Sequence, residues 1–556
     1  MKFKPRSYRR EAPCYRDNIT QLVFPLLSSL TLALGWGVVM PVSAAQRLTL
    51  RLGPLEQAIA IADLEEFAKT GELPPTLQIF APVLTSQARE VLNRRLQLDP
   101  KVADKVIEQV LRSPAGEQLV KSMAGVIPNS NVDLLQAAAG LAVRQANGLS
   151  VVGFLRAYPQ ENITVDVSNA VAVALQFNPT YWESQALSPL LERELAVTNN
   201  TVFKPTFDPA STGNQTVQQQ TLFLQDRQRH RTIPVDLYGS SNSQTGPLVV
   251  ISHGFGANRK AFAYLARHLA SHGLTVAALE HPSSNINWLA SIANSAQPSK
   301  LLPAREFIEW PKDVSFVLDE LTKLNQQPGM FQGKINTQQV SVIGHSLGGY
   351  TALALAGAEL DLQELRQYCK SDIPIGRAPA DWLQCAATGL PNRKLQLRDR
   401  RVVQVIALNP LVGNLFGKTG MAQITIPVLM LAGTEDAITP IVNHQLRPFT
   451  QLHSPKYLLT AIGGTHLSVS DPTNLDAARD SSLVKERRGA ETKPLRNLVQ
   501  GVSLAFIEQL TPEAKAYEPF LTPAYAQTLS TPELPLRLNA QLPAGIDPLV
   551  EVVAPP

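Results

Sequence analysis

A serine hydroxyl is a weak nucleophile until an imidazole takes its proton and an acid holds that imidazole in one tautomer. This 556-residue chain offers such a set in the order serine, acid, histidine. Gly344-His345-Ser346-Leu347-Gly348 follows the apolar run Val340-Ser341-Val342-Ile343 and precedes a small-residue helical run from Gly349 to Ala358. That setting predicts a strand, a strained turn exposing Ser346, and a helix. Downstream, Asp436 follows the apolar stretch ending in Leu431-Ala432-Gly433, and His466 follows Gly463-Gly464-Thr465. Asp436 is the candidate acid, with Glu435 its neighbouring rival, and His466 is the candidate base. Taken singly, each has an ordinary reading, a turn-forming aspartate and a solvated loop histidine. Their order behind the Ser346 turn is what raises them above it.

Attack by Ser346 would place negative charge on a carbonyl oxygen, which calls for two converging N–H donors. One is the Leu347 amide, directly after the nucleophile. The other belongs to Ser252-His253-Gly254-Phe255-Gly256-Ala257-Asn258, where glycines on both sides of Phe255 let the loop turn closely beneath a substrate. The glycines also suggest a phosphate cradle, but no Gly-Lys-Ser/Thr follows them. His253 is expected to order this loop, and His281 to line the pocket or cap a turn. Trp288, Leu289, Trp382 and Leu383 are candidates to receive an acyl chain or to pack a cap. The histidine spacing gives no metal pattern, and neither metal nor cofactor is expected.

These residues must be carried by a sheet. Thr221 to Gln225 and Thr232 to Tyr238 read as a hairpin, Pro247 to Ser252 and Leu274 to Leu279 as buried strands, and Arg259 to His272 and Lys312 to Leu324 as helices. Beyond the Ser346 turn come strands at Arg401 to Leu408, Ile426 to Leu431 and Lys456 to Ile462, then a closing helix at Asn497 to Gln509. Alternation of this kind predicts an α/β fold with a mainly parallel central sheet covered on both faces. The domain spans 219–510, with an insertion at 359–400 expected to form a cap. Residues 46–200 read as a mainly helical domain without recognisable chemistry, 201–218 as a polar linker, and 511–556 as a proline-rich tail. The tail is expected along the surface or partly disordered, with a chain end tucked against another domain as the alternative.

Residues 1–45 have the pattern of a secretory signal: a basic leader, an uncharged, mostly apolar run from Leu22 to Met40, and the small-residue exit Val42-Ser43-Ala44-Ala45. Cleavage implies a periplasmic or secreted protein; retention would make the segment a membrane anchor. Six of the 50 basic and two of the 46 acidic residues precede Ala45, which leaves 44 of each in the remainder. A neutral mature chain gives nucleic-acid binding no electrostatic support. Of the three cysteines, Cys14 lies in the signal, leaving Cys369 and Cys385 as an expected disulfide or, failing that, two buried thiols.

Arg231-Thr232-Ile233-Pro234-Val235-Asp236-Leu237-Tyr238, Ser252-His253-Gly254-Phe255-Gly256, His281-Pro282-Ser283-Ser284-Asn285 and the Gly344–Gly349 turn together resemble one branch of the α/β-hydrolases. That branch holds platelet-activating-factor acetylhydrolases and proteins described as predicted dienelactone hydrolases. Residues 46 to about 180, beginning Leu48-Thr49-Leu50-Arg51-Leu52-Gly53-Pro54-Leu55, resemble a domain of unknown function joined to such hydrolases in cyanobacteria. The resemblance implies an ester-cleaving domain with Ser346, Asp436 and His466 as its triad and Phe255 and Leu347 at its oxyanion hole. Dienelactone hydrolases use a cysteine where this chain has Ser346, so their substrate is not carried over. The expected activity is hydrolysis of acyl or lipid esters, with peripheral membrane association as a possible partner relation. The alternatives are acyl transfer to an alcohol and a non-catalytic envelope-binding protein on a hydrolase scaffold.

Overall fold

A computed structural model describes residues 45–52, 55–80, 84, 89, 92–93, 123, 125–128, 130–145, 150–166, 179–197, 203, 205–240, 246–285, 302–370, 377–391, 393–474, 486–543 and 546. The signal-like segment, Trp288 and Leu289 lie outside the described residues. Among the described residues no helix is long and apolar enough to cross a membrane. The chain divides into two compact units, 1–173 and 174–556.

In the first unit, β1 (Arg47–Leu52) pairs antiparallel with β2 (Leu55–Ala60) and parallel with β3 (Asn162–Asp166). Helices α1 (Ile61–Thr70), α2 (Val132–Gln145) and α3 (Val151–Ala157) accompany the sheet. Helices were expected here, whereas this small sheet was not. Leu55–Ala60 contains good helix formers, and pairing with the alternating Arg-Leu-Thr-Leu pattern of β1 overrides them. Leu48, Ile59, Leu64, Phe67 and Ile163 are buried.

The second unit opens with α4 (Pro179–Glu194), which the sequence grouping had assigned to the N-terminal domain. Its Leu187 and Leu191 instead join the core of the second unit. Then follow β4 (Gln218–Asp226), β5 (Arg231–Gly239), β6 (Pro247–Ser252), α5 (Ala263–Ser271), β7 (Thr275–Leu279), α6 (Glu306–Leu324), β8 (Asn336–His345) and α7 (Leu347–Ala356). The remainder comprises β9 (Glu359–Asp361), α8 (Leu362–Tyr368), α9 (Pro379–Cys385), β10 (Lys394–Gln396), β11 (Val402–Leu408), β12 (Val428–Gly433), β13 (Lys456–Ala461), α10 (Lys493–Glu508) and β14 (Leu536–Asn539).

Nine strands form one sheet in the order β14-β13-β12-β11-β8-β6-β7-β5-β4. The run from β13 to β7 is parallel; β14 pairs antiparallel with β13, β5 with β7 and β4 with β5. Because side chains alternate across a strand, a sheet covered on both faces needs apolar residues at consecutive positions. In β6, Leu248 and Val250 enter one core while Val249 and Ile251 enter the other; in β12, Met430 and Leu431 divide the same way. Residues of α6 and α7 fill the first core, those of α5 and α10 the second. This is the α/β-hydrolase architecture. The C-terminal segment does more than trail: β14 pairs with β13, and its Leu536 and Leu538 are buried.

The insertion at 359–400 is held by a Cys369–Cys385 disulfide joining the ends of α8 and α9, with Cα atoms 5.7 Å apart. Its Ala380 N–H donates to the Ile438 carbonyl (3.1 Å), and Gln384 Oε1 accepts from the Asn414 N–H (2.7 Å). It therefore docks on the loops that follow β11 and β12.

Candidate active site

Ser346 stands between β8 and α7 with φ 55° and ψ −117°. A non-glycine residue in that region is strained by about 1–3 kcal/mol and persists only when its surroundings enforce it. Here three backbone bonds do so: Ser346 N–H to Leu408 O (3.0 Å), and Leu411 N–H (3.0 Å) and Tyr350 N–H (3.1 Å) to Ser346 O. The flanking glycines are required by contact. A Cβ on Gly344 would lie 1.9 Å from the Gly348 oxygen, and one on Gly348 would lie 2.2 Å from the Ser252 oxygen.

The acid and base come from the loops after β12 and β13. His466 Nδ1 and Asp436 Oδ2 are 2.8 Å apart, and Asp436 is fully buried. Its carboxylate also accepts from Asn409 Nδ2 (2.8 Å), Thr439 Oγ1 (2.7 Å) and the N–H groups of Ile438 (2.9 Å) and Thr439 (2.8 Å). Burial opposes ionisation of Asp436, but His466 and these donors outweigh it and hold its pKa below the usual carboxylate value. For His466, burial disfavours the cation, yet the Asp436 charge and hydrogen bond prevail and raise its pKa above 6.5. A carboxylate that stays ionised beside a more basic imidazole can orient a general base and stabilise its protonated form.

His345, next to the serine, donates from Nε2 to the His466 carbonyl at 2.9 Å, tying the nucleophile turn to the histidine loop. Burial, with the nearby His466, lowers the His345 pKa to about 3, so it remains neutral. Glu486 Oε2 accepts the Leu467 N–H (2.9 Å); burial raises this carboxyl above its ordinary value. The α4 helix also reaches this end of the sheet, where the Ser188 and Thr434 hydroxyls lie 2.9 Å apart. Burial, reinforced by Glu435, Asp436 and Glu486, pushes the Tyr181 phenol up to about 12.

The loop of the second expected donor lies against the serine. A Cβ on Gly254 would be 3.1 Å from Ser346 Cβ. Among the described residues, the N–H groups of Phe255 and Leu347 have no hydrogen-bond acceptor. Leu347 opens α7, and the first amides of a helix have no partner within it. Both amides belong to segments that meet at Ser346.

The pocket expectations fare differently. His253 is buried in the Ser252–Asn258 loop, with Nδ1 2.7 Å from the Gly254 oxygen. His281 has no exposed surface among the described residues. It is wholly buried between Ser252 and Asp313 and stacks on Trp310 at 3.8 Å. Trp382, on α9, is 40% exposed, and Leu383 packs against the core. Glu435 is passed over, since the Asp436 carboxylate meets His466. Asn409 and Thr439 were not anticipated. A φ of 43° at Asn409, in the turn after β11, is the local feature that marks it, and it is invisible without the backbone.

Two family models match the chain: "Alpha/beta hydrolase of unknown function" over residues 44–166 and "Platelet-activating factor acetylhydrolase, isoform II" over 233–310. Similar curated proteins include the platelet-activating factor acetylhydrolases of Cavia porcellus, 28% identical over 138 residues, and of Canis lupus familiaris, 29% identical over 137. Each alignment covers 19% of this chain and 31% of the relative, so the chain spans about a third of the length of the relatives it matches.

Proposed function

We propose that this protein is a serine hydrolase of carboxylic esters, acting on lipid or other acyl esters through an acyl-enzyme on Ser346. The observation that carries the reading is the strained Ser346 turn tied, through His345, to the loop bearing the His466–Asp436 pair. Similarity to platelet-activating factor acetylhydrolases supports an ester as the substrate class.

In this mechanism His466 Nε2 takes the Ser346 proton as Oγ attacks the ester carbonyl. The carbonyl π-bond electrons pass to the oxygen, and the Phe255 and Leu347 amides stabilise that charge. Collapse of the tetrahedral adduct re-forms the C=O bond and breaks the bond to the alcohol, which His466 protonates as it leaves. Water, deprotonated by His466, then attacks the acyl-enzyme and releases the acid, restoring the Ser346 hydroxyl. Asp436 keeps the His466 proton on Nδ1 throughout and stabilises the imidazolium. The signal-like N-terminus supports export, and with it an envelope or extracellular ester.

A fluorophosphonate probe tests the assignment. Stoichiometric labelling of the wild-type chain, lost in a folded Ser346→Ala variant, is expected; equal labelling of that variant would overturn it. Product analysis with and without an added alcohol separates hydrolysis from acyl transfer.

A further inference from the structure

A second Ser–His–Asp chain lies inside the core, behind the proposed oxyanion loop. His281 Nδ1 is 3.0 Å from Asp313 Oδ2, and His281 Nε2 is 2.9 Å from Ser252 Oγ. Ser252, His281 and Asp313 are all fully buried. Asp313 also accepts from Arg231 Nη2 (2.7 Å) and Arg229 Nη1 (2.8 Å). Arg231 in turn forms a two-pronged pair with buried Glu306.

Proton placement in this network follows from which groups can only donate or only accept. Asp313, bonded to two guanidiniums, accepts, so His281 carries its proton on Nδ1 and accepts a hydrogen bond from the Ser252 hydroxyl at Nε2. The His281 backbone N–H lies 3.1 Å from His253 Nε2 and can only donate. His253 Nε2 is therefore the acceptor, its proton sits on Nδ1, and that N–H donates to the Gly254 carbonyl at 2.7 Å. Burial keeps both rings neutral, lowering His253 to about 3 and His281 well below 6.5.

The next link is geometric. The Gly254–Phe255 peptide is trans, so its C=O and N–H point in opposite directions. Two donors hold the Gly254 oxygen, His253 Nδ1–H at 2.7 Å and the Ala257 N–H at 3.1 Å, and the first comes from a buried ring. The Phe255 N–H is thereby turned the other way, on the peptide that abuts Ser346. The far side of the turn is fixed separately, by Gly256 N–H to Ser284 O (2.8 Å) and Trp310 Nε1–H to Ser284 Oγ (2.7 Å).

We infer that His253 is a positioning residue for ester cleavage: the His281 backbone N–H sets its tautomer, and its Nδ1–H, beside the Ala257 N–H, sets the direction of the Phe255 oxyanion donor. This rests on the hydrolase reading above.

Removing one preorganised oxyanion donor costs on the order of 10²–10³ in kcat. Misdirecting one should cost at least about tenfold, with KM moving by no more than about threefold. Two substitutions separate positioning from packing. In His253→Asn the amide nitrogen stands near the Nδ1 position and can still donate to Gly254 O. In His253→Gln the side chain reaches the Nε2 position and can only satisfy the His281 N–H. With p-nitrophenyl butyrate as substrate, the Asn variant is expected to retain kcat within about fivefold and the Gln variant to lose at least about tenfold. Affinity for a trifluoromethyl ketone, which forms a tetrahedral adduct with serine, should fall in step with kcat/KM. Thermal unfolding monitors packing independently of these readouts.

Equal kcat in the two variants, or a Gln variant within twofold of wild type, overturns the inference alone, provided the wild-type chain turns over the ester and is labelled at Ser346. A folded wild-type chain that does neither removes the hydrolase reading and this inference together.

Discussion

Among the described residues two Ser–His–Asp groupings are built from the same residue types, one at the ends of the strands and one in the core. At the first, the partners of the Asp436 carboxylate besides His466, among the described residues, are the neutral donors of Asn409, Ile438 and Thr439, so the aspartate charge is felt by the imidazole and raises its pKa. At the second, Arg229 and Arg231 bind the Asp313 carboxylate, and their charges add to burial in lowering His281. The serines differ too. Ser346 is held in left-handed backbone at a turn, whereas Ser252 ends a strand and hydrogen-bonds into the core. Residue identity alone thus does not make a base and nucleophile. The charge around the acid and the backbone beneath the serine decide it.

The contrast should be plainest at the serines. Ser346→Ala should lower kcat on the order of 10⁶-fold. Ser252→Ala should leave fluorophosphonate labelling stoichiometric while lowering stability by about 1–3 kcal/mol, because it leaves a buried His281 nitrogen without its donor. Comparable catalytic losses would erase the distinction.

The acids should separate next. Asp436→Asn is expected to reduce kcat by about 10⁴. Asp313→Asn should act chiefly on stability, by roughly 3–5 kcal/mol in denaturant titration, since it leaves two guanidiniums without their shared carboxylate. Smaller again, replacing Cys369 and Cys385 together by serine should cost about 3 kcal/mol, read from the same titration.

The titrations differ in sign. His466 must be neutral to act as base and its pKa is raised, so kcat/KM should climb with pH through a midpoint above 6.5, and Asp436→Asn should move that midpoint down. His253 and His345 are buried with lowered pKa values near 3. Their contribution to stability is present above the unfolded-state value near 6.5 and is lost as pH falls toward 3. Melting temperature should accordingly decline through that acid window; a flat profile would contradict the neutral-core assignment.

Much of the layer that carries the candidate site was readable as a linear pattern. The strand at Pro247–Ser252, the hairpin between β4 and β5 and the order of Ser346, Asp436 and His466 follow from short apolar runs and turn residues, which are local. The Cys369–Cys385 bond was also legible, from a signal-like N-terminus and two cysteines left in one later segment. Less legible were elements whose partners are remote. The α4 helix looked continuous with the N-terminal domain, yet Leu187 and Leu191 pack in the second unit. The sheet of the first unit joins strands separated by about a hundred residues, and β14 completes the main sheet from a proline-rich tail.

His281 shows why. In the sequence it stands after a buried strand, a position that suits a pocket wall as well as a core. Only assembly of β6, β7 and α6 brings Ser252 and Asp313 to its two nitrogens. Local pattern therefore determined which residues are nucleophile, acid and base candidates and what fold carries them, because strand period and turn chemistry act between near neighbours. Tertiary structure decided which imidazole is made basic and which is kept neutral, because that depends on charges and burial supplied by segments far apart in the chain.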